Sequence, residues 1–392
     1  MNRRSVPKAA GWTLLVLALF VPVAPAQEMK SAETAAPRKF TTVREVWATP
    51  FKSQGETGTC WSFSTTSFLE SEAHRLGRGD FELAPMFTVY HAYLEKAIRH
   101  VRSHGETPFR SGGLSHDVLA VIREYGAVPR DCYPGLPGDG PTYDHRELDA
   151  AAAGMMAGVL SAGKKTNLSG RWVDGRFQAR WLDALRGVLD AYVGPSPASF
   201  EYDGHTCTPR DFAERVLRLP LDDYVEITAY SCLPKDGRGE LLLPDNWLHY
   251  DRFYNVPLND FLRIIDHALE SGFSLVFDLH EADAEFKSPA DYLLGHGESE
   301  GAPPTGQDER DSLLEDWRTE DVHLVHAIGL ARDEGGRKFY KIKDSAGTGP
   351  GGTPRLYNKT YLSEDFVRTR VLFVMLHKDG LPQDIRTRLE IH

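Results

Sequence analysis

The stretch Gln54-Gly55-Glu56-Thr57-Gly58-Thr59-Cys60-Trp61-Ser62-Phe63 constrains this chain more than any other. A cysteine directly follows a small-residue turn, Gly58-Thr59, and directly precedes a helix-competent run from Trp61 to Leu76. A sulfur at a helix N-terminus meets unsatisfied N–H groups and the positive end of the macrodipole, which favour the nucleophilic thiolate. Gln54 stands six positions before Cys60, close enough for its amide to fold back beside the sulfur and donate to a developing oxyanion. Gly55 and Gly58 give the intervening loop the freedom for that return. The plainer reading of Cys60 is a buried packing residue, because free cysteine is among the most buried residue types. The Gln, both Gly and the Trp together favour the nucleophile.

A thiol nucleophile needs a base, and the base needs a third group that accepts from its other nitrogen. His323-Leu324-Val325-His326-Ala327-Ile328-Gly329-Leu330 reads as a strand, Glu334-Gly335-Gly336-Arg337 as a turn, and Lys338 to Lys343 as the returning strand. Such a hairpin makes His326 and Asp344 neighbours. His323 is the rival histidine, and its position three residues earlier puts it on the opposite strand face.

Gln-Gly-x-x-Gly-x-Cys-Trp-Ser-Phe resembles the active-site loop of the papain superfamily. Thr57 stands where many cathepsins carry an extra cysteine, a variant similar to the bleomycin hydrolase and aminopeptidase C branch. His326-Ala327 matches the first half of the superfamily's second signature. In the second half, Asp344-Ser345-Ala346-Gly347 replaces Asn-Ser-Trp-Gly. Asp still accepts from an imidazole and favours its charged form more than an amide does; Ala in place of Trp leaves that bond wetter. Arg110-Ser111-Gly112-Gly113-Leu114 resembles the Gly-Gly ledge on which these enzymes hold an extended substrate. Tyr-Gly-x-x-Pro-x-x-Cys-x-Pro around Cys132 resembles a further bleomycin hydrolase segment, with Cys132 a packing residue.

The resemblance implies an α+β, papain-like cysteine peptidase fold over residues 43–381: a helical half carrying Cys60, an antiparallel β half carrying His326 and Asp344, and a helical insertion. His326 lies 266 residues after Cys60, against the ~130–150 of ordinary papain-like enzymes. An insertion over about 147–255 supplies the excess. Within it Trp181, Leu182, Leu185, Val188, Leu189 and Tyr192 form an apolar helical stripe that reads as core. Further elements are helices from His116 to Tyr125 and Leu258 to Glu270, and a strand from Ser274 to Leu279. Residues 298–321, rich in Gly, Pro and acids, read as a long exposed loop, and 382–392 as a polar tail.

The implied function is hydrolysis of peptide bonds through a Cys60 thioester, with His326 as acid/base, Asp344 as orienter, Gln54 as oxyanion donor and no cofactor. The branch implies an aminopeptidase on short peptides. Its members use a C-terminal arm to capture the substrate amine, and residues 383–392 do not match that arm. A peptide-binding homologue without turnover and an amidase or transpeptidase with the same thioester chemistry are the competing readings. The family includes hexameric barrels, so a homo-oligomer stays open.

Net charge −11 argues against nucleic acid as a partner, since phosphate binding needs clustered Lys and Arg. Arg3, Arg4 and Lys8, then the apolar run from Trp12 to Val23, then Ala24-Pro25-Ala26, match a signal peptide over residues 1–26. A flexible segment over 27–42 follows. The mature protein is therefore expected to be exported, periplasmic or secreted, with no membrane attachment after cleavage. In an oxidising compartment, with Cys60 a free nucleophile, Cys207 and Cys232 are the candidate pair for one disulfide, and the sequence leaves open whether they are bridged. No Cys/His spacing suits a metal. Asn167-Leu168-Ser169 and Asn358-Lys359-Thr360 match glycosylation acceptors, a pattern common by chance.

Overall fold

The computed structural model describes residues 38–136, 142–163, 168, 170–281, 290–295, 304–346 and 359–392, which belong to one compact unit. The expected signal peptide, Gly347 and both glycosylation asparagines lie outside the described residues.

The helix Cys60–Arg75 is the hub, buried on every side from Cys60 to Ala73. A helix without a solvent face must pair its charges inside. Glu70 accepts from Thr49 Oγ1, Lys52 Nζ and the Leu83 N–H, and Glu72 from Arg75. The helices Pro85–Arg102 and Ser115–Tyr125 pack on one side of the hub. On the other lies a ten-stranded sheet. Its order along the sheet is Tyr292–Leu293, Tyr361–Ser363, Lys338–Lys343, His323–Asp333, Leu275–Leu279, Val371–His377, Tyr224–Thr228, Phe253–Asn255 and Arg238–Gly239. Phe40–Glu45 pairs with the far half of His323–Asp333.

Alternation along the central strands builds two cores. Val276, Leu324, Phe373 and Met375 join the cluster shared with the hub helix. Phe277, Val325, Ala327 and Val374 face the helices Leu258–Glu270 and Glu364–Arg370, where Phe261, Ile265 and Phe366 close a second cluster.

Six expectations are corrected. The polar tail over 382–392 carries a helix, Gln383–Arg388, and buries Ile385, Leu389 and Ile391, while the flexible segment over 27–42 runs into the paired strand Phe40–Glu45. The sheet is not purely antiparallel: Tyr292–Leu293 pairs in parallel with Tyr361–Ser363, and Tyr224–Thr228 with Phe253–Asn255. The insertion is not wholly helical. Arg146–Gly163 and Arg180–Val193 are helices, with Trp181, Leu182, Leu185 and Leu189 buried as expected. A hairpin, Gly170–Val173 with Arg176–Ala179, separates them. From Tyr224 the insertion extends the main sheet rather than decorating the helical half. The exposed loop over 298–321 contains a helix, Gln307–Glu315, anchored by the fully buried Arg310. Arg310 donates to the carbonyls of Ala229, Arg368, Val371 and Leu372. Finally, Cys207 and Cys232 are both free thiols. Cys207 ends a small hairpin with Phe200 as its partner, whereas Cys232 is exposed with Asp311 and Glu315 as charged neighbours.

Candidate active site

Cys60 is the first residue of the hub helix and is 8% exposed. Its N–H is one of the first-turn donors that a helix leaves without an intrahelical acceptor. The loop before it is tied down residue by residue. Gly55 has φ +63°, and a Cβ there would lie 2.2 Å from the Tyr143 carbonyl oxygen. Thr57 Oγ1 donates to the Gln54 carbonyl at 2.8 Å. A Cβ on Gly58 would lie 2.5 Å from Ser111 Oγ. Gln54 is fixed at both ends of its amide: Oε1 accepts from Ser345 Oγ at 2.7 Å, and Nε2 donates to the Thr57 carbonyl at 2.7 Å. An amide nitrogen carries two hydrogens, so one remains for an oxyanion. Ser345 is a positioning residue that the sequence reading passed over.

The histidine beside the sulfur is His323, which corrects the assignment of His326. His323 Nε2 lies 2.7 Å from Asp344 Oδ1, and the same imidazole hydrogen-bonds with the Cys60 side chain. Burial by itself would lower the His323 pKa, but Asp344 and then the Cys60 sulfur outweigh it and raise it well above the ordinary value. Asp344 shows the complement. Burial would raise it, yet His323 and the backbone N–H groups of Ala346 (2.9 Å) and Lys359 hold it below the ordinary carboxylate range. Despite Ala346, the bond is not open to water: His323, Asp344 and Ala346 are 8%, 5% and 4% exposed. A separate cavity of about 300 Å³ reaches Asp344, with Phe51, Lys343 and Lys359 in its wall.

A β-bulge explains the exchange of histidines. From Arg332↔Lys338 to Gly329↔Lys341 the hairpin keeps one register, which, continued unbroken, puts His326 opposite Asp344. Ile328 enters as an extra residue, so Ala327 meets Ile342 and His326 meets Lys343. One residue of slip reverses which face each side chain takes. Asp344 thereby comes opposite Val325 instead of His326, at the strand end where His323 meets Cys60. A clue stood in the sequence, since an isolated glycine within an apolar strand signals a bulge or a close backbone approach. Gly329 is both: it flanks the bulge, and a Cβ there would lie 2.4 Å from the Arg44 carbonyl oxygen.

His326 turns instead to the hub helix. It is fully buried, with Nδ1 2.9 Å from Ser67 Oγ, which itself accepts from Lys343 Nζ at 2.7 Å. Burial, reinforced by Lys343, pushes its pKa well below the ordinary value and keeps it neutral.

Gly112 and Gly113 do line the cleft that holds Cys60, a cavity of about 270 Å³. Neither tolerates a Cβ: at Gly113 it would press on the Trp61 indole at 3.0 Å, and at Gly112 it would lie 1.8 Å from Asp245 Oδ2. Trp61 is held by its Nε1–H, which donates to the Ser111 carbonyl at 3.0 Å. The cleft wall also includes Asp245 and Asp321, neither of which the sequence reading singled out. No group of three or more His, Cys, Asp or Glu among the described residues is arranged to hold a metal ion.

Hub helix, facing sheet and the buried Cys60–His323–Asp344 row define a papain-like cysteine peptidase fold. PepW from Lactobacillus rhamnosis HN001 superposes with a TM-score of 0.66 at 17% identity, covering 89% of this chain and 84% of that one. Within that class the chain is similar to bacterial cysteine aminopeptidases. It is 24% identical to aminopeptidase C of Listeria monocytogenes over 212 residues, 47% of each protein. It is 21% identical to aminopeptidase G of Lactobacillus delbrueckii subsp. lactis over 393 residues, 84% of this chain and 81% of that protein. The first of these matches thus spans about half of the relative's length. No protein-family model matches the chain.

Proposed function

We propose that the protein is a cysteine peptidase of the aminopeptidase type, acting on short peptides. The observation that carries the reading is the buried row itself, a thiol at a helix N-terminus hydrogen-bonded with an imidazole that a carboxylate orients. The raised His323 pKa favours an imidazolium beside a thiolate. The thiolate attacks the peptide carbonyl, and the oxyanion is received by the Cys60 N–H and the remaining Gln54 amide hydrogen. His323 then passes its proton to the departing amine, leaving a thioester on Cys60. In the second half His323 takes a proton from water, which attacks the thioester and releases the acyl product. Asp344 keeps the ring oriented throughout. The similarity to aminopeptidases C and G supports the aminopeptidase assignment.

The test is release of a fluorophore from aminoacyl substrates under reducing conditions, with amine-blocked substrates and Cys60→Ala beside them. Turnover of free-amine substrates that is lost in Cys60→Ala is the expected result. Turnover confined to blocked substrates points to an endopeptidase. No turnover, together with a Cys60 that resists a thiol-directed alkylator, leaves a peptide-binding homologue.

The basic, apolar and small-x-small succession over residues 1–26 supports export. N-terminal sequencing of the protein recovered from the producing cell's exterior or envelope should find Gln27 first. No helix among the described residues is long and apolar enough to cross a membrane.

A further inference from the structure

The cleft has an acidic pole that the thioester chemistry does not use. Asp321 lies two residues before His323, and Asp245 lies in the connection between the strands Arg238–Gly239 and Phe253–Asn255. Both line the cavity that contains Cys60. They are joined directly, the Asp245 N–H donating to Asp321 Oδ2 at 3.0 Å. Gly112 makes the seat for Asp245, since any Cβ there would overlap its carboxylate.

One cation, the exposed Arg110, lines the same cleft and offsets this pole in part. Lys96 is buried and spends its ammonium on the carbonyls of Arg110 and Gly112. Asp245 remains above the ordinary carboxylate range, raised by burial although Lys96 and Arg110 pull it down. Burial, then Asp245, takes Asp321 to about 7.

A third carboxyl lies behind the pair. Asp278 is fully buried, and neither of its oxygens has a hydrogen-bond partner among the described residues. It stands directly opposite Leu324 in the sheet and so shares the face of that residue, which lines the cleft. Burial first, then Asp321, Cys60, Asp245 and Glu226, raises it well above the ordinary carboxylate range, so it is held neutral. Asp278 does not itself line the cleft, so a cation with several N–H donors seated there is met by Asp245 and Asp321, with Asp278 as the unpartnered buried carboxyl next to them.

We propose that Asp245 and Asp321 bind a primary ammonium group of the substrate and hold it beside the carbonyl that Cys60 attacks. This rests on the peptidase reading of Cys60. The ammonium is the α-amine of the first residue or the side chain of a lysine preceding the scissile bond; the two share the recognition chemistry and differ in the assay. The chain's C-terminal segment does not supply this contact. Ile385, Leu389 and Ile391 are buried in the second core, and no residue of 382–392 lines the cleft.

The test uses the full chain, Asp245→Asn, Asp321→Asn, the double variant and the charge-keeping Asp321→Glu. Two readouts are independent. One is kcat/KM on three fluorogenic sets: free-amine aminoacyl, amine-blocked with lysine before the scissile bond, and amine-blocked neutral. The other is the rate at which Cys60 is modified by 2-aminoethyl methanethiosulfonate, which carries an ammonium, relative to neutral methyl methanethiosulfonate. In both reagents the thiolate attacks the outer sulfur, a disulfide forms and methanesulfinate leaves. The rate is read from the mass of the Cys60 peptide, so Cys132, Cys207 and Cys232 do not contribute.

The expected result is a ten- to hundredfold loss in the Asn variants for an ammonium-bearing substrate relative to the neutral set. The rate advantage of the cationic reagent should fall at least tenfold, and Asp321→Glu should restore most of both. Loss confined to free-amine substrates assigns the α-amine, and loss confined to the lysine set assigns the side chain. A reagent preference that is unchanged in the single and double variants overturns the proposal, even if peptides are still cleaved. A preference that depends on the two aspartates without any peptide turnover keeps the proposal and removes the peptidase reading. A Cys60 inert to both reagents removes both.

The acidic limb adds a check. Asp321, faced by Asp245, Glu320 and Asp278, with Arg110 in the same cleft and Lys96 beside Asp245, must be ionised to bind a cation. An α-amine must stay protonated, up to a pKa of about 8. Free-amine turnover should therefore peak between about pH 7 and 8, with the lower limb moved in Asp321→Asn.

Discussion

At the residue scale, two histidines three positions apart have opposite electrostatic fates. His323 exchanges hydrogen bonds with Asp344 and Cys60 and is held charged, whereas His326 is buried beside Lys343 and held neutral. His323→Ala should therefore lower kcat by about 10²–10⁴, the usual worth of a general acid/base. His326→Ala should retain most of the turnover while lowering the thermal midpoint, because it empties a buried site and leaves Ser67 with only its bond from Lys343. Steady-state kinetics and thermal melts of the two variants decide it; a larger kinetic loss in His326→Ala reverses the assignment. Ser345 acts one step further out, through Gln54. Gln54→Ala should cost about 10²–10³ in kcat, the worth of one oxyanion donor. Ser345→Ala should cost less, with the loss in kcat rather than KM.

At the scale of elements, the helix Gln307–Glu315 is tied to the sheet chiefly by Arg310, while Gln307 donates to the Ala229 carbonyl and Asp311 accepts from the Ser231 N–H. Arg310 satisfies carbonyls where the Ala229 end of one strand and the Arg368–Leu372 segment meet. Arg310→Ala would leave buried acceptors unpaired, so a loss of about 3 kcal/mol or more is expected from urea unfolding. The same region leads into Asp321 and His323, so the variant that still folds should also show a raised KM. The hairpin bulge is the second element-level device. Gly329→Ala would force the Phe40–Glu45 strand away from its neighbour and cost about 1–3 kcal/mol. Hydrogen exchange at Arg44, Glu45 and Val46 should rise with it.

At the scale of the whole molecule, pH acts through histidines buried neutral. His91 is lowered to about 3 and His145 to about 4, in both cases first by burial, and His326 is also strongly lowered. Below their unfolded pKa of about 6.5, the unfolded chain binds protons that the native state refuses. Stability therefore falls as the pH drops. His323 has the opposite sign: its contribution is present below about 6.5 and is lost as pH rises through its raised pKa. Neither nitrogen of His145 has a hydrogen-bond partner among the described residues. At pH 5 that one group costs about 2 kcal/mol, from 1.36 kcal/mol per pKa unit. His145→Leu should remove that share of the stability lost between pH 7 and 5, read from denaturant midpoints at both values.

The sequence by itself determined whatever is carried by neighbours along the chain. The Gly-rich loop, the helix beginning at Cys60, the amphipathic run from Leu258 to Glu270 and the hairpin after His323 were all legible, because periodicity and turn chemistry are local. Cys60, Gln54, Gly112, Gly113 and Asp344 were named partly from such local chemistry and partly from the resemblance to papain-superfamily motifs. What only the tertiary structure decided is what depends on register and on distant partners. A single extra residue at Ile328 exchanged the roles of His323 and His326, since a strand's side chains alternate and one step of slip reverses them all. Asp245 and Asp321 lie 76 residues apart along the chain. They become one acidic wall beside Cys60 only because the sheet gathers the segments that carry them.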